Sequence, residues 1–143
     1  WSSDVCSSDL VHAVRDKIDL LIIGGNTVRT DRPTLDARLV NGKAPDVMIY
    51  STRDDFDKTI PLFQVPNRKV IITNDKNILK DYQYILIEGS DTLMKCFEND
   101  INLYLFYLCP KLSTASPMSI EQSFTYLHTR SNGDDIEVWA KKQ

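Results

Sequence analysis

Residues 20–27 read Leu-Leu-Ile-Ile-Gly-Gly-Asn-Thr, and they set the expectation for the whole architecture. The four consecutive apolar residues lack the alternation of a half-exposed strand, and such runs are typical of strands buried on both faces, mostly in parallel sheets. Asn26 is suited to cap a following helix. That helix should end near Arg32, because the ring of Pro33 disfavours helical backbone at the residue before it. The stretch therefore predicts a buried strand, a glycine turn and a short helix.

Further short apolar runs, separated by polar segments, lie on both sides of this unit. Strands are predicted at residues 47–50, 70–73, 84–87 and 103–108, with helices ending near Lys17 and spanning 92–98. Near the C-terminus, Asn132-Gly133 between apolar runs is a strong hairpin signal. The polar stretch 51–65 is expected to be a lid or an edge rather than core. The pattern indicates an α/β fold, with a mixed, mostly parallel sheet flanked by helices and a C-terminal antiparallel hairpin.

The composition is that of an ordinary globular domain, with 143 residues, 42% hydrophobic, 26% charged and a net charge of -3. These values exclude disordered and fibrous classes, and so weak a charge gives no electrostatic case for nucleic acid or a membrane surface. No apolar run approaches the roughly 18 residues that a membrane-spanning helix needs. Cys6, Cys96 and Cys109 fit neither a disulfide framework nor a metal motif, so buried thiols and a reducing, cytoplasmic compartment are expected.

The first ten residues, Trp-Ser-Ser-Asp-Val-Cys-Ser-Ser-Asp-Leu, show neither a helical nor a strand period. They resemble one reading frame of a common short-read sequencing adapter, translated as though it were coding DNA. The alternative is a native Ser-rich loop. We therefore expect residues 1–10 to be non-native and residues 11–143 to be an incomplete domain.

Two predicted strands end in loops that contain glycine, at residues 24–27 and 88–92. Ligands of open α/β sheets bind at the carboxyl ends of strands, where small residues let the backbone approach a phosphate. A glycine after a strand is more often a simple turn residue. The pair nevertheless makes a nucleotide site a reasonable hypothesis.

The run at residues 27–38 is dense in charge and follows the buried strand directly. Arg29, Arg32 and Arg38 could bind phosphate or carboxylate as charge-assisted forks. By itself the better interpretation is a solvated loop with local ion pairs, each worth under about 1 kcal/mol. His12 and His128 lie far apart in sequence and have no ligand spacing, so no metal site is expected.

Several segments, in this order, resemble the reductase domain of the bacterial bifunctional riboflavin-biosynthesis deaminase/reductase, which has a dihydrofolate-reductase-like fold. They are Val-His-Ala-Val-Arg at 11–15, the apolar strand with its glycines at 19–25, and Thr-Val-x-x-Asp-x-Pro-x-Leu-x-x-Arg at 27–38. Ile-Glu-Gly-Ser-Asp-Thr-Leu at 87–93 is similar to the nucleotide loop of that family, and Tyr-Leu-Cys-Pro-Lys-Leu at 107–112 is similar to a strand end. The element at 27–38 is the most specific part of the resemblance. It is a strong signal because the second loop follows about 60 residues later, in the order that the family has.

The resemblance implies NADPH-dependent reduction of the ribosylamino group of a phosphorylated pyrimidine to ribitylamino. The implied cofactor contacts are Gly25, Thr27, Asp31, Gly89, Ser90, Asp91 and Thr92. The implied substrate contacts are Arg15, Leu35, Arg38 and Glu88. Asp31 is the nearest candidate for a catalytic proton donor. A homodimer, and a parent protein fused to a deaminase domain, are implied as well.

The chain departs from the family pattern at several positions. Arg32 stands where the family often has a second Asp, and Ser90-Asp91 stand where it usually has Gly-Pro, which puts a negative charge beside the expected phosphates. The opening strand and the deaminase domain are absent from this sequence. A missing central strand would leave an unpaired sheet edge, so poor folding of the fragment is expected, and whether it is active stays open. Two alternatives stay open: another dihydrofolate or pteridine reductase, and a non-catalytic nucleotide-binding fragment.

Overall fold

The computed structural model describes residues 5–108, 110 and 122–143, with side chains described from Leu10 onward. By their internal contacts these residues form two compact units, one up to Leu93 and one from Met94. Helices of the first unit are α1 (Val5–Lys17), α2 (Gly25–Asp31), α3 (Pro61–Gln64) and α4 (Asp91–Cys96), the last of which crosses into the second unit. The strands are β1 (Leu20–Gly24), β2 (Asp46–Tyr50), β3 (Val70–Thr73), β4 (Ile85–Glu88), β5 (Tyr104–Leu108), β6 (Phe124–Asn132) and β7 (Asp135–Lys142). Short 3₁₀ helices cover Arg38–Val40 and Lys76–Asp81.

The first unit is built on a four-stranded, fully parallel sheet in the order β3-β2-β1-β4. The central strand β1 is buried along Leu20–Ile23, as its unbroken apolar sequence predicts. Strands β1, β2 and β3 lie within a residue of their predicted positions, and β4 ends one residue later, at Glu88. Glu88 therefore belongs to the sheet and not to the loop after it.

The segment at 51–65 contradicts the prediction that it lies outside the core. Phe56, Ile60 and Leu62 are 8%, 3% and 0% exposed and belong to the main hydrophobic cluster with Val28 and Leu35. Pro61 begins the single turn of α3, in keeping with the preference of proline for the first turn of a helix. The prediction was wrong because it relied on the average polarity of the stretch, whereas three apolar residues within it pack into the core.

The second unit contains an antiparallel three-stranded sheet in the order β5-β7-β6. Its hairpin turn is Gly133-Asp134, with Gly133 at φ +61° and the Asn132–Asp135 pair closing the turn, one residue later than the Asn-Gly signal indicates. The α/β class, the parallel sheet with helices and the C-terminal hairpin are confirmed. The described strands form two separate sheets, and not the one mixed sheet that the sequence predicts.

Four smaller expectations are wrong or lie outside the description. Asn26 is not a cap, because α2 begins at Gly25 and its N-cap is Gly24. Helix α1 already begins at Val5, within the stretch that shows no period. Cys96 is exposed rather than buried. Cys109 and the Lys111-Leu112 part of the strand-end motif lie outside the described residues.

The helix α2 ends where proline chemistry predicts, with Arg32 as its left-handed C-cap immediately before Pro33. Within the described part of the chain, no helix combines the length and the apolar character needed to cross a bilayer.

Candidate active site

The two glycine turns lie side by side at one edge of the parallel sheet. Strands β1 and β4 are neighbours, and Ile23 pairs with Glu88 at their carboxyl ends. Adjacent strands are about 4.8 Å apart, so the turns that follow them start from adjoining positions. The expectation that the turns at Gly25 and Gly89 converge from adjoining strands is confirmed. This is the edge at which open α/β sheets bind ligands.

Gly25 is buried, and the space around it has no room for a side chain. A Cβ built on Gly25 would lie 3.0 Å from Cβ of Ser51 and 3.0 Å from Nη1 of Arg29. Ser51 follows β2, so residues after β1 and β2 meet here, and the Ser51 hydroxyl is fixed by bonds to the main chain of Arg53. Sequence reasoning missed Ser51, although its position directly after a predicted strand could have pointed to it.

Gly89 is exposed, and its lack of a side chain lets α4 begin close to the end of β4. A Cβ on Gly89 would lie 2.7 Å from Cδ2 of Leu93. Asp91 is the first residue of α4, with exposed Ser90 and Thr92 on either side. The predicted second loop is therefore a strand, a short exposed turn and a helix start, as its sequence suggests.

Arg15 and Glu88 form a bidentate ion pair at this edge. Nε of Arg15 donates to Oε1 of Glu88 at 2.9 Å, and Nη2 donates to Oε2 at 2.8 Å. The side chains are only 12% and 27% exposed. Paired forks of this kind are among the stronger hydrogen-bonded contacts, because both bonds are charge-assisted and the two planes match. Two residues predicted separately as substrate contacts are thus direct partners.

Asp36 joins α1 to the segment that follows α2. Its carbonyl oxygen accepts from Nη1 of Arg15 at 3.4 Å, and its carboxylate lies 3.3 Å from Nη1 of Arg38 and 3.9 Å from Nδ1 of His12. His12 is buried, whereas the Arg38 side chain is 64% exposed. His12 and Arg15 are three residues apart on one helix face, a spacing that could have placed His12 beside the site.

Leu35 is a buried residue with left-handed backbone, at φ +57°. The guanidinium of Arg68 donates to the carbonyl oxygens of Thr34 at 2.6 Å, of Pro45 at 2.8 Å, and of Leu35 itself. Burial lowers the pKa of Arg68, and the nearby Asp36 carboxylate opposes that shift. No sequence spacing signals this contact, because Arg68 and Leu35 are 33 residues apart.

Helix α2 carries the other predicted cofactor contacts. Thr27 lies in its first turn, with its hydroxyl 3.9 Å from a Cβ built on Gly24. Asp31 is exposed as the last residue of the helix.

Of the arginines in the charged run, Arg32 and Arg38 follow the solvated interpretation, with side chains 57% and 64% exposed, whereas the Arg29 side chain is only 24% exposed. Arg29 pairs with Asp55, Arg32 with Asp57 at 2.6 Å, and Arg38 with Asp36. Arg29 also lies over the ring of Phe56, 4.4 Å from its centroid. Among the described residues there is no group of three or more side chains arranged to hold a metal ion.

A parallel sheet with two glycine turns and a fixed carboxylate–guanidinium pair at its carboxyl edge defines a small α/β domain with a candidate ligand site at that edge. The chain belongs to the RibD C-terminal domain family, whose model matches residues 1–132. The resemblance described from the sequence is thereby confirmed.

Three relatives illustrate the comparison. The maize riboflavin biosynthesis protein PYRR, chloroplastic, is 31% identical over 83 residues, which are 58% of this chain and 13% of the relative. The structure of the Thermotoga maritima diaminohydroxyphosphoribosylaminopyrimidine deaminase/5-amino-6-(5-phosphoribosylamino)uracil reductase superposes with a TM-score of 0.80 at 17% identity, covering 100% of this chain and 50% of that one. Enterococcus faecalis dihydrofolate reductase complexed with NADP(H) gives a TM-score of 0.57 at 8% identity, covering 96% and 82%. The dihydrofolate-reductase-like fold is confirmed, and the chain spans half of the bifunctional protein.

Proposed function

We propose that this domain uses NADPH to reduce the ribosylamino group of a phosphorylated 5-aminopyrimidinedione to ribitylamino, in riboflavin biosynthesis. The observation that carries the proposal is the Arg15–Glu88 pair, fixed at 2.8 and 2.9 Å beside the two converging glycine turns. Family membership supports the same reaction, since a relative of this fold is named as that reductase.

The residues at the edge of the sheet fit a nucleotide cofactor. Ser51 and Arg29 fill the place that a Cβ on Gly25 would take, so glycine lets the turn after β1 pack against the end of β2. In the second turn, Ser90 and Thr92 are exposed and free to face a phosphate. We assign cofactor contacts to Gly25, Thr27, Asp31, Gly89, Ser90, Asp91 and Thr92. When bound, NADPH supplies the hydride. The dihydrofolate reductase relative is described with NADP(H), which supports this choice of cofactor.

We assign substrate contacts to Arg15, Leu35, Arg38 and Glu88. The exposed Arg38 guanidinium is suited to grip a phosphate that arrives from solvent. The half-buried Arg15–Glu88 pair offers a donor and an acceptor edge for the polar groups of the pyrimidine. The species that is reduced is the open-chain imine form of the ribosylamino group. A hydride adds to its imine carbon and a proton adds to its imine nitrogen. We assign Asp31, an exposed carboxyl at the end of α2, to take this proton from solvent and pass it to the nitrogen.

The context of the domain is part of the same proposal. A parent protein fused to a deaminase domain is supported by the fact that this chain covers half of a bifunctional relative. We further propose a cytoplasmic location and a homodimer. A deaminase reading frame in the genomic DNA upstream of residue 11 would support both the fusion and a non-native origin of residues 1–10. That origin stays a prediction.

The test is the consumption of NADPH by the purified chain in the presence of the phosphorylated pyrimidine. In Arg38→Ala we expect the substrate KM to rise about tenfold or more, because one charge-assisted fork is lost, while NADPH binding changes less than about twofold. Arg38→Lys should recover part of the loss, since the charge remains. Equal weakening of both ligands would contradict the role of Arg38. Turnover of dihydrofolate would favour another reductase of this fold. NADPH binding without turnover would favour a non-catalytic nucleotide-binding fragment.

A further inference from the structure

The backbone at Leu35 is unusual for its residue type. Leu35 has φ +57°, the left-handed region that glycine and asparagine adopt most readily. The other described non-glycine residues in this region are Arg32, Asn41 and Asn67, and the first two are helix C-caps. Leu35 has no such role, and its side chain is 6% exposed within the hydrophobic core. Surrounding contacts must hold so disfavoured a conformation in place.

Arg68 supplies those contacts. One half-buried guanidinium donates to the carbonyl oxygens of Thr34 and Leu35, on either side of the left-handed turn, and to that of Pro45. The bond to Thr34 is 2.6 Å long and the bond to Pro45 is 2.8 Å long. The fork of Arg68 thus ties the segment after α2 to the residue that leads into β2.

The same segment is also bonded to the candidate site. Nη1 of Arg15 donates to the carbonyl oxygen of Asp36, while the rest of the Arg15 guanidinium engages Glu88. The carbonyl oxygens at 34–36 are therefore bonded to two guanidinium groups, those of Thr34 and Leu35 to Arg68 and that of Asp36 to Arg15 of the candidate site. A shift of this segment would move Leu35 and the Asp36 carbonyl together.

We propose that Arg68 is a positioning residue for the reductase site: by holding Leu35 in its left-handed conformation, it sets the position of the substrate-facing segment 34–38. This inference rests on the proposed function, which assigns Leu35 and Arg38 to the substrate. Arg68 acts through the backbone and contacts neither substrate nor cofactor. A lysine cannot replace it fully, because a single ammonium group does not present the planar fork that spans separate carbonyl oxygens.

The experiment compares Arg68→Ala and Arg68→Lys with a control that loses an arginine elsewhere. Arg130→Ala is the matched control, since Arg130 pairs with the buried Glu137 in the second unit and we expect its removal to lower stability as well. We expect Arg68→Ala to raise the pyrimidine KM about tenfold or more, with the NADPH KM changed less than about twofold. The pyrimidine KM of Arg68→Lys should lie between those of Arg68→Ala and the unchanged protein. This variant replaces Arg68→Ala in the test if the alanine variant does not fold.

Hydrogen exchange of the amides at residues 34–37 gives a readout that needs no turnover. These amides should exchange faster in the Arg68 variants than in Arg130→Ala at equal overall stability. Unchanged exchange at 34–37, or equal weakening of pyrimidine and NADPH, would overturn the proposal. If the unchanged protein does not turn over the pyrimidine, the proposed function fails, and the exchange rates still decide whether Arg68 holds the segment.

Discussion

Two groups of arginine side chains in the first unit have very different surroundings. Arg15 and Arg68 are largely enclosed and donate to a carboxylate fork or to backbone carbonyl oxygens. Arg32 and Arg38 pair with aspartates near the surface, and their side chains are 57% and 64% exposed. The same residue type thus fixes the position of the backbone in one place and forms screened surface pairs in the other. Burial and geometry separate the two groups, and charge does not.

The largest expected effect follows from removing the partner of an enclosed guanidinium. Glu88→Ala leaves Arg15 without its carboxylate, and we expect the free energy of unfolding to fall by about 2 kcal/mol. The corresponding surface change, Asp57→Ala, removes the partner of Arg32 and should lower the free energy of unfolding much less, because solvent screens an exposed pair. Denaturant unfolding of both variants measures the difference.

A double-mutant cycle with Arg15→Ala then isolates the coupling energy of the enclosed pair. If Glu88→Ala and Asp57→Ala destabilise the protein equally, the contrast between enclosed and surface pairs is wrong.

The contrast between the two groups also marks how far sequence reasoning reached. The strand 20–23 and the helix end before Pro33 could be predicted, because a continuous apolar run and a proline act locally. The convergence of Gly25 and Gly89 followed from a general property of parallel sheets. The placement of Phe56, Ile60 and Leu62 in the core could not be predicted, since these apolar residues in a polar stretch show no helical or strand period.

The Arg68 contact lay beyond sequence reasoning for a different reason. It depends on where the chain brings residues 34, 35, 45 and 68 together, and no local pattern encodes that meeting. The Arg15–Glu88 pair could be predicted only in part. Each residue belongs to a family motif, but their direct bond follows from neither motif. Candidate site residues could be named one by one from the sequence, but the contacts between them required the fold.

A moderate effect is expected at the surface residue that shares the backbone conformation of Leu35. Arg32 is also left-handed, at φ 47°, but it is an exposed C-cap, the place where glycine is most common. We expect Arg32→Gly to be about 1 kcal/mol more stable than Arg32→Ala, because both lose the Asp57 pair and only glycine relieves the left-handed backbone. Thermal unfolding of the two variants measures this difference.

At Leu35, in contrast, glycine should lower the stability relative to the unchanged protein. Leu35→Gly relieves the backbone but removes a buried side chain, so a net loss of about 2 kcal/mol is expected. A stabilising Leu35→Gly would show that the core contacts of Leu35 matter less than its backbone strain.

The smallest effect concerns Asp57, the surface partner of Arg32. Hydrogen bonds from the hydroxyl and the amide of Thr59, and then the Arg32 guanidinium, lower the pKa of the Asp57 carboxyl from its ordinary value of 3.8 to about 2. A carboxyl with a lowered pKa in the folded state stabilises the protein above its unfolded pKa, and that contribution is lost as the pH falls toward about 2. Thr59→Ala should therefore raise the Asp57 pKa more than Arg32→Ala does. The acid loss of stability would still begin near the unfolded pKa of 3.8, but it would be smaller and would end at a higher pH. Carboxyl chemical shifts followed through an acid titration would measure both variants. A larger rise in Arg32→Ala would mean that the surface ion pair governs this carboxyl, and the distinction between enclosed and surface arginines would then fail at the site where it should be clearest.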